Sequence, residues 1–178
     1  MPSPRLVTAV DELGPTPHSG LAYRHQAAGW NPLSGAGARI QGGRWNPPNS
    51  FATIYLAVQR ETAIAEFNRM AARSGRRPED FTPRRLYRFE LRLQRMVDLR
   101  PAPAREAVNL GDADILGDDP SPCQAVGEAA ESLGREGIIA PSATGLGIVL
   151  AVFFDRLGSE SMLDVRGYDT WSAPPVGS

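Results

Sequence analysis

Residues 53–73, TIYLAVQRETAIAEFNRMAAR, join two elements of different periodicity with almost no loop between them. The run Thr53–Val58 is apolar, aromatic or β-branched throughout, which predicts a buried strand. Glu61–Arg73 then has helical spacing, with one apolar face. That face carries Ala63, Phe67 and Met70. A buried strand that leads directly into an amphipathic helix predicts a domain containing both kinds of structure.

The remaining elements are separated by glycine and proline. Residues 84–93, RRLYRFELRL, alternate apolar and charged side chains and predict a half-exposed strand. Further strands are predicted at Leu21–Gln26, Gly137–Ala140, Gly147–Phe154 and Met162–Arg166, further helices at Pro103–Leu110 and Ser121–Leu133, and an acidic loop at 111–122. This order has no sustained βαβ rhythm, so we predict a single compact α+β domain over residues 20–168. Residues 1–19 are expected to form a loose arm and residues 169–178 a tail.

Composition excludes several classes of chemistry. The chain has 178 residues, and its 19 basic residues are all arginine, which rules out lysine Schiff bases and the Walker lysine. One cysteine and two histidines cannot form a closed zinc site of the usual spacing, and we expect no metal or cofactor. No apolar run approaches the roughly 20 residues that span a membrane, and the N-terminus lacks a signal core. We therefore expect a cytoplasmic protein with no membrane partner.

Charge is divided unevenly along the chain. Residues 69–105 hold 11 arginines and 4 acids, whereas residues 106–136 hold 8 acids and one arginine. The basic block is a candidate nucleic-acid footprint. However, the sequence pI of 6.1 is not that of a basic-patch protein, and much of the block lies on the alternating strand. We favour two blocks that face each other or water within one domain, with no nucleic acid bound.

Four polar residues are candidates for a functional site because of their apolar or glycine neighbours. They are Arg24, Arg44, Tyr55 and Glu66. Singly, each has an ordinary structural explanation, such as a Glu66–Arg69 pair one helical turn apart. Together, two guanidinium groups suit phosphates, and a semi-buried carboxylate suits a developing oxocarbenium cation. The combination points weakly to cleavage of a phosphate-bearing glycoside.

Two further residues are candidate catalytic groups. His25 has the chemistry of a base, but a lone histidine is more often structural. Cys123 is predicted in the first turn of a helix, where the helix dipole lowers a thiol pKa, yet it has no obvious partner. We interpret Cys123 as a packed small residue.

Three longer segments resemble the RES-domain toxins, the toxic half of RES–Xre toxin–antitoxin pairs. They are LSGAGARIQGGRWNPPNSFATIYLAVQRETAIAE at 33–66, REAVNLGDADILGDDPSPCQAVGEAA at 105–130 and EGIIAPSATG at 136–145. The resemblance extends from about Leu21 to Phe154, most of the chain, and is strongest to NAD⁺ phosphorylase members. The order YR, GGRWN, IYLA, a helical glutamate and PSA is more specific than any one motif.

The resemblance implies a fold related to ADP-ribosyltransferase toxins and NAD⁺ as substrate, with inorganic phosphate as a possible co-substrate. The motifs place the family's site residues on Arg24, Arg44, Tyr55, Glu66 and Ser142. By that resemblance, the arginines hold phosphates, Tyr55 packs on nicotinamide or ribose, Glu66 stabilises the anomeric cation and Ser142 donates a hydrogen bond nearby. His25 stands where the most similar relative has tyrosine, and we expect it to contact substrate.

The same resemblance implies an Xre-type antitoxin that blocks the NAD⁺ pocket, and the two charge blocks are candidate docking faces for it. It leaves open whether phosphate or water captures the ADP-ribosyl group. Two alternatives from other classes remain. One is a protein ADP-ribosyltransferase that uses NAD⁺, and the other is a non-catalytic nucleic-acid-binding protein.

Overall fold

The computed structural model describes residues 1–171, in which helices and strands are mixed along the chain. The strands are β1 (Thr16–Ala27), β2 (Thr53–Ala57), β3 (Arg84–Asp98), β4 (Gly137–Pro141), β5 (Ile148–Phe153) and β6 (Met162–Trp171). The helices are α1 (Pro4–Glu12), α2 (Ala36–Gln41), α3 (Arg60–Arg73), α4 (Ala102–Ala107), α5 (Asp112–Leu116) and α6 (Ser121–Ser132). Short 3₁₀ turns occupy Pro78–Phe81 and Phe154–Arg156. The predicted α+β class is confirmed.

The sheet has the strand order β1-β2-β5-β4-β3-β6, and an additional pairing of β1 with β3 closes five of its strands into a ring. Strand β3 is long enough to make this closure. Along one edge it pairs with β1, from Ala27↔Arg84 to Thr16↔Met96. Along its other edge it pairs antiparallel with β6 and, at residues 96–98, parallel with β4.

Alternating side chains of the strands supply two separate cores. Ile139 and Leu150 point into a cluster inside the ring, which also contains Phe89. Their neighbours Ile138 and Ala151 point the other way, into a cluster shared with α1 and α6. This two-residue alternation is the ordinary geometry of a strand buried on both faces.

The prediction of a loose arm over residues 1–19 is wrong. Ser3 caps α1 by accepting a hydrogen bond from the Leu6 backbone N–H at 3.3 Å, and Pro4 occupies the first helical position. Proline is favourable there because its missing N–H has no helical partner to lose. Val10 is completely buried in the helix-side core, and Asp11 pairs with Arg135 at 2.8 Å.

Several predicted element boundaries also need correction. Residues 169–171, assigned to the tail, complete β6; the remainder of the predicted tail, 172–178, lies outside the described residues. The predicted acidic loop contains the short helix α5. Strands β1, β3 and β6 all extend beyond the predicted limits because each continues where a neighbouring strand offers backbone partners.

Ion pairs link the two charge blocks to each other. Arg69 and Arg73 of the basic block approach Asp118 of the acidic block at 3.4 and 3.8 Å. Arg105 pairs with Asp112 at 3.4 Å, across the same division of the chain. The blocks therefore face each other within one domain, as the sequence favoured. Within residues 1–171 no helix has the length and hydropathy needed to cross a membrane.

One carboxylate is fully buried and joins β3, β4 and the loop before β6. The Oε2 atom of Glu136 accepts a hydrogen bond from the backbone N–H of Gln94 at 2.7 Å. The Oε1 atom accepts hydrogen bonds from the backbone N–H of Gly158 at 3.0 Å and from the Ser161 hydroxyl at 2.6 Å. Desolvation opposes its ionisation, yet these hydrogen bonds outweigh that effect and hold the pKa of Glu136 below its usual value.

We expect Glu136→Gln to lower the free energy of unfolding by about 1–3 kcal/mol, because an amide NH₂ would face N–H donors. Since folding lowers the carboxyl pKa, this contribution is present above the unfolded value of 4.5 and is lost as pH falls through the folded value. Urea unfolding at about pH 7 and about pH 3 measures the difference in the free energy of unfolding between wild type and Glu136→Gln. We expect this difference to be smaller at about pH 3 than at about pH 7. Exposed Glu106 provides the control, Glu106→Gln; an equal effect of both variants would contradict the assignment.

Candidate active site

A cleft of about 710 Å³ lies where β1, β2 and α3 meet α2 and the loop that follows α2. This volume is within the roughly 300–1,000 Å³ range of small-molecule sites. Five of the six sequence-predicted site residues line it: Arg24, His25, Arg44, Tyr55 and Glu66. The sixth, Ser142, is fully buried next to the lining residue Ala143. The structure thus brings residues distant in sequence to one cleft.

Arg24 lies on β1 and holds the loop that precedes α2. Its guanidinium donates to the backbone carbonyls of Pro32 at 2.7 Å and Ser34 at 3.1 Å. It makes no ion pair with a carboxylate among residues 1–171. Desolvation lowers the pKa of Arg24 to about 10, so it remains a cation at neutral pH. A half-buried cation with only neutral partners is suited to an anionic ligand.

Arg44, like Arg24, is held by backbone carbonyls. It donates to the carbonyls of Asp114 at 2.9 Å and Gly117 at 2.7 Å, at the two ends of the last turn of α5. Its neighbour Trp45 is buried, and the Trp45 carbonyl lies against α6 at Gly127. A side chain at Gly127 would overlap that carbonyl, so glycine is required for the approach.

Tyr55 packs against the loop that follows α2, which contains Gly42 and Gly43. Its hydroxyl donates to Oδ1 of the buried Asn46 at 2.7 Å and accepts the Trp45 backbone N–H at 2.8 Å. A Cβ on Gly43 would lie 2.6 Å from ring carbons of Tyr55, so the backbone passes directly over the ring. Desolvation raises the pKa of Tyr55 and keeps its hydroxyl protonated.

Glu66 is tied to β4 and the loop that follows it. The Ser142 hydroxyl donates to Oε1 of Glu66 at 2.5 Å and lies 2.6 Å from the Thr144 hydroxyl. The Thr144 backbone N–H also donates to the Ser142 oxygen, at 3.1 Å. Arg69, the alternative helical partner of Glu66, donates instead to the carbonyl oxygens of Ala143 and Leu116. Ser142 therefore acts on the cleft through the carboxylate that it orients.

His25 and Arg84 form a corner of the cleft beside Glu66. Phe67 follows Glu66 on α3, and its ring is parallel to that of His25 with 4.1 Å between centroids. Nε of Arg84 donates to Nδ1 of His25 at 2.7 Å. Burial, with a smaller contribution from the Arg84 charge, lowers the pKa of His25 to about 4. The histidine is thus neutral at physiological pH.

The cleft has a strongly positive lining. Arg24, Arg44, Arg69, Arg73 and Arg84 face it, against the carboxylates of Glu66 and Asp118. Cys123 is fully buried, and burial raises its pKa to about 11, so it is a packed residue and not a thiolate. In the part of the chain described, no three His, Cys, Asp or Glu side chains are grouped to hold a metal ion. The site can hold a phosphorylated ligand and place one carboxylate beside it.

Sequence reasoning missed the residues that position the predicted ones. Arg84, Asn46 and Gly127 were not singled out, although each contacts a predicted residue or its neighbour. The neighbouring residue Leu86 could have indicated that Arg84 is buried. Leu86 lies on the same face of β3 as Arg84 and is itself buried, so this end of that face is shielded from solvent.

Comparison with known proteins gives a consistent family assignment. The RES domain family matches residues 21–173. An NAD(+) phosphorylase, MbcT, of Mycobacterium bovis is 40% identical over 153 residues, which cover 85% of this chain and 82% of that protein. MbcT of Mycobacterium tuberculosis is similar to the same extent.

A solved structure extends this similarity to the fold. A chain in the crystal structure of the M. tuberculosis MbcT–MbcA toxin–antitoxin complex matches with a TM-score of 0.87 and 35% sequence identity. The match covers 96% of this chain and 93% of that one. The arrangement of helices and strands is therefore shared across almost the whole molecule.

We expect Gly127→Ala to lower the free energy of unfolding by about 1–3 kcal/mol, because its Cβ would displace the Trp45 carbonyl. Glycine to alanine in a helix is ordinarily stabilising by up to about 1 kcal/mol, so the sign is diagnostic. The control is Gly37→Ala in α2, where an added Cβ meets nothing within 4 Å. Urea unfolding compares the two; a Gly127→Ala protein as stable as wild type would refute this packing.

Proposed function

The chain belongs to the RES domain family, and from that premise we propose that it is the toxin of a toxin–antitoxin pair that degrades NAD⁺. The bond broken is that between nicotinamide and ribose. The observation that carries the proposal is the cleft itself, in which Arg24, Arg44 and Glu66 converge. Its positive lining suits the two phosphates of a dinucleotide, and its carboxylate suits a cationic sugar carbon.

Cleavage of this bond does not require the protein to donate a proton to the leaving group. As the C1″–N bond breaks, its electron pair goes to the pyridinium nitrogen, which leaves as neutral nicotinamide. Positive charge then develops on the ribose carbon C1″ and its ring oxygen. The carboxylate of Glu66 stabilises that charge, and Ser142 holds the carboxylate by the hydrogen bond to Oε1. Arg24 and Arg44 fix the pyrophosphate so that C1″ lies beside Glu66.

Inorganic phosphate is the acceptor that we propose for the ADP-ribosyl group. A phosphate oxygen forms a bond to C1″ and gives ADP-ribose 1″-phosphate, whereas water would give ADP-ribose. Five arginines against two carboxylates raise the local concentration of anions in the cleft. Both reactants are small molecules of the cytoplasm, where the proposal places this protein.

An antitoxin partner that covers the cleft is also proposed. Exposed apolar side chains lie at its margin: Met70, which lines the cleft, and Ile40, which lies between the lining residues Ala38 and Gln41. A partner seated on these residues would exclude NAD⁺. The similarity to a chain of a toxin–antitoxin complex supports this assignment.

A product assay tests the proposed reaction directly. Purified protein is incubated with NAD⁺ labelled in the adenosine half, with and without inorganic phosphate. We expect free nicotinamide and ADP-ribose 1″-phosphate where phosphate is present, and little release of nicotinamide where it is absent. Release of ADP-ribose alone would indicate hydrolysis, and label attached to protein would indicate a protein ADP-ribosyltransferase. Intact NAD⁺ throughout would overturn the proposal.

Substitution of the carboxylate tests the role of Glu66. Glu66→Gln retains the side-chain shape and the contact with Ser142 but removes the charge, so we expect kcat to fall by about 10²–10³-fold. Glu61 is exposed on the same helix, and Glu61→Gln should retain wild-type kcat. Growth arrest on expression without antitoxin provides a second measurement. Full toxicity of Glu66→Gln at matched expression would exclude the proposed role.

A further inference from the structure

His25 is enclosed by three elements of the fold, and each contributes one side chain. Phe67 of α3 stacks on one face of the imidazole. Trp171, the last residue of β6, meets the ring edge to face with 4.5 Å between centroids. Arg84, the first residue of β3, contacts a third side through its hydrogen bond to Nδ1, and His25 still lines the cleft. These contacts fix the orientation of the ring in the wall of the cleft.

The hydrogen bond from Arg84 determines which nitrogen carries the proton. A guanidinium has only donors, so Nδ1 of His25 must be the acceptor and cannot carry hydrogen. The imidazole proton is therefore on Nε2. A second proton on Nδ1 would break the 2.7 Å hydrogen bond and place two cations in contact. The geometry alone selects a neutral ring in one tautomer.

Phe67 and His25 in turn hold Arg84 in place. Its guanidinium lies 4.4 Å from the centroid of the Phe67 ring, and a second nitrogen donates to the His25 carbonyl at 3.3 Å. Only 8% of Arg84 is exposed, and it makes no ion pair with a carboxylate among the described residues. A buried arginine without a counter-ion is costly, which argues for a role other than stability.

We propose that Arg84 is a positioning residue of the NAD⁺ site: it fixes His25 as the neutral tautomer with its proton on Nε2, so that an uncharged aromatic ring faces the substrate. This inference rests on the proposed function. The nicotinamide ring of NAD⁺ is a cation, and a neutral imidazole beside it provides an aromatic surface. An imidazolium at the same place would repel it.

The other charged groups near His25 make their hydrogen bonds or ion pairs with other residues. Glu66, next to Phe67 on α3, is bound by Ser142, and Asp169 of β6 pairs with Arg60 at 2.6 Å. Arg24, the neighbour of His25 on β1, donates to loop carbonyls. Arg84 of β3 is thus the charged group directly bonded to the ring, and its removal should let His25 titrate nearer its ordinary range.

Nitrogen NMR of the full-length protein without substrate tests the tautomer. The chain has two histidines, and His18→Gln leaves His25 as the sole source of imidazole signals. We expect a protonated Nε2 and an unprotonated Nδ1 at about pH 7, with no titration down to about pH 5. A proton on Nδ1, a mixture of tautomers or an imidazolium at neutral pH would overturn the proposal. This measurement is independent of NAD⁺ turnover, so it separates failure here from failure of the proposed function.

Kinetics of Arg84→Met test whether the tautomer matters to the site. We expect KM for NAD⁺ to rise about tenfold with kcat changed less than about threefold, and kcat/KM to fall further below about pH 6 as His25 charges. In the His25→Phe background, Arg84→Met should add no pH dependence, because no titrating ring remains. A purely structural role for Arg84 predicts the same loss in both backgrounds and an unchanged pH profile; that result would refute the proposal.

Discussion

Unpaired positive charge in one cleft is the constraint on which the rest of the site depends. Arg24, Arg44 and Arg84 all face it, and within residues 1–171 none of them is matched by a carboxylate at ion-pair distance. Removing a guanidinium from water without a counter-ion costs free energy, and the lowered pKa of Arg24 and of Arg84, each about 10, reflects that cost. An anionic ligand would supply the missing partner, and a dinucleotide pyrophosphate has the required charge.

Neutral partners hold these arginines ready for a ligand. Backbone carbonyls of the loop before α2 orient Arg24, those at the end of α5 orient Arg44, and an imidazole nitrogen orients Arg84. A carbonyl fixes the direction of a guanidinium without cancelling its charge. The loop that carries Arg44 is fixed in turn by Tyr55 beneath Gly43 and by Gly127 beneath Trp45. The glycines therefore set the position of charge in the cleft as much as the arginines do.

Local patterns in the sequence predicted the strand–helix unit at 53–73, the alternating strand β3 and the α+β class, because each depends on periodicity that neighbouring residues reveal. Periodicity does not reveal that β1 and β3 pair along their length and close the sheet, since that depends on contacts distant in the chain. The N-terminal helix was missed because residues 1–19 are rich in proline and weakly periodic, although Pro4 occupies the one helical turn where proline is favourable.

Among the candidate site residues, Arg24, Arg44, Tyr55 and Glu66 were recognisable from their local setting in the sequence. The family resemblance added Ser142 and placed the candidates together. Their supports were not recognisable in the same way. Asn46, Arg84 and Gly127 act through single contacts across the fold, and no spacing along the chain predicts such a contact. The resemblance implied that Ser142 donates a hydrogen bond near the ribose or nicotinamide; in the structure Ser142 is buried and donates to Glu66.

The most direct measurement is a crystal structure of the Glu66→Gln variant with NAD⁺ bound, in which slow turnover preserves the substrate. We expect the pyrophosphate oxygens at about 3 Å from the guanidinium groups of Arg24 or Arg44, with the ribose C1″ beside residue 66. A dinucleotide bound outside this cleft, or bound within it with its phosphates away from both arginines, would contradict the account.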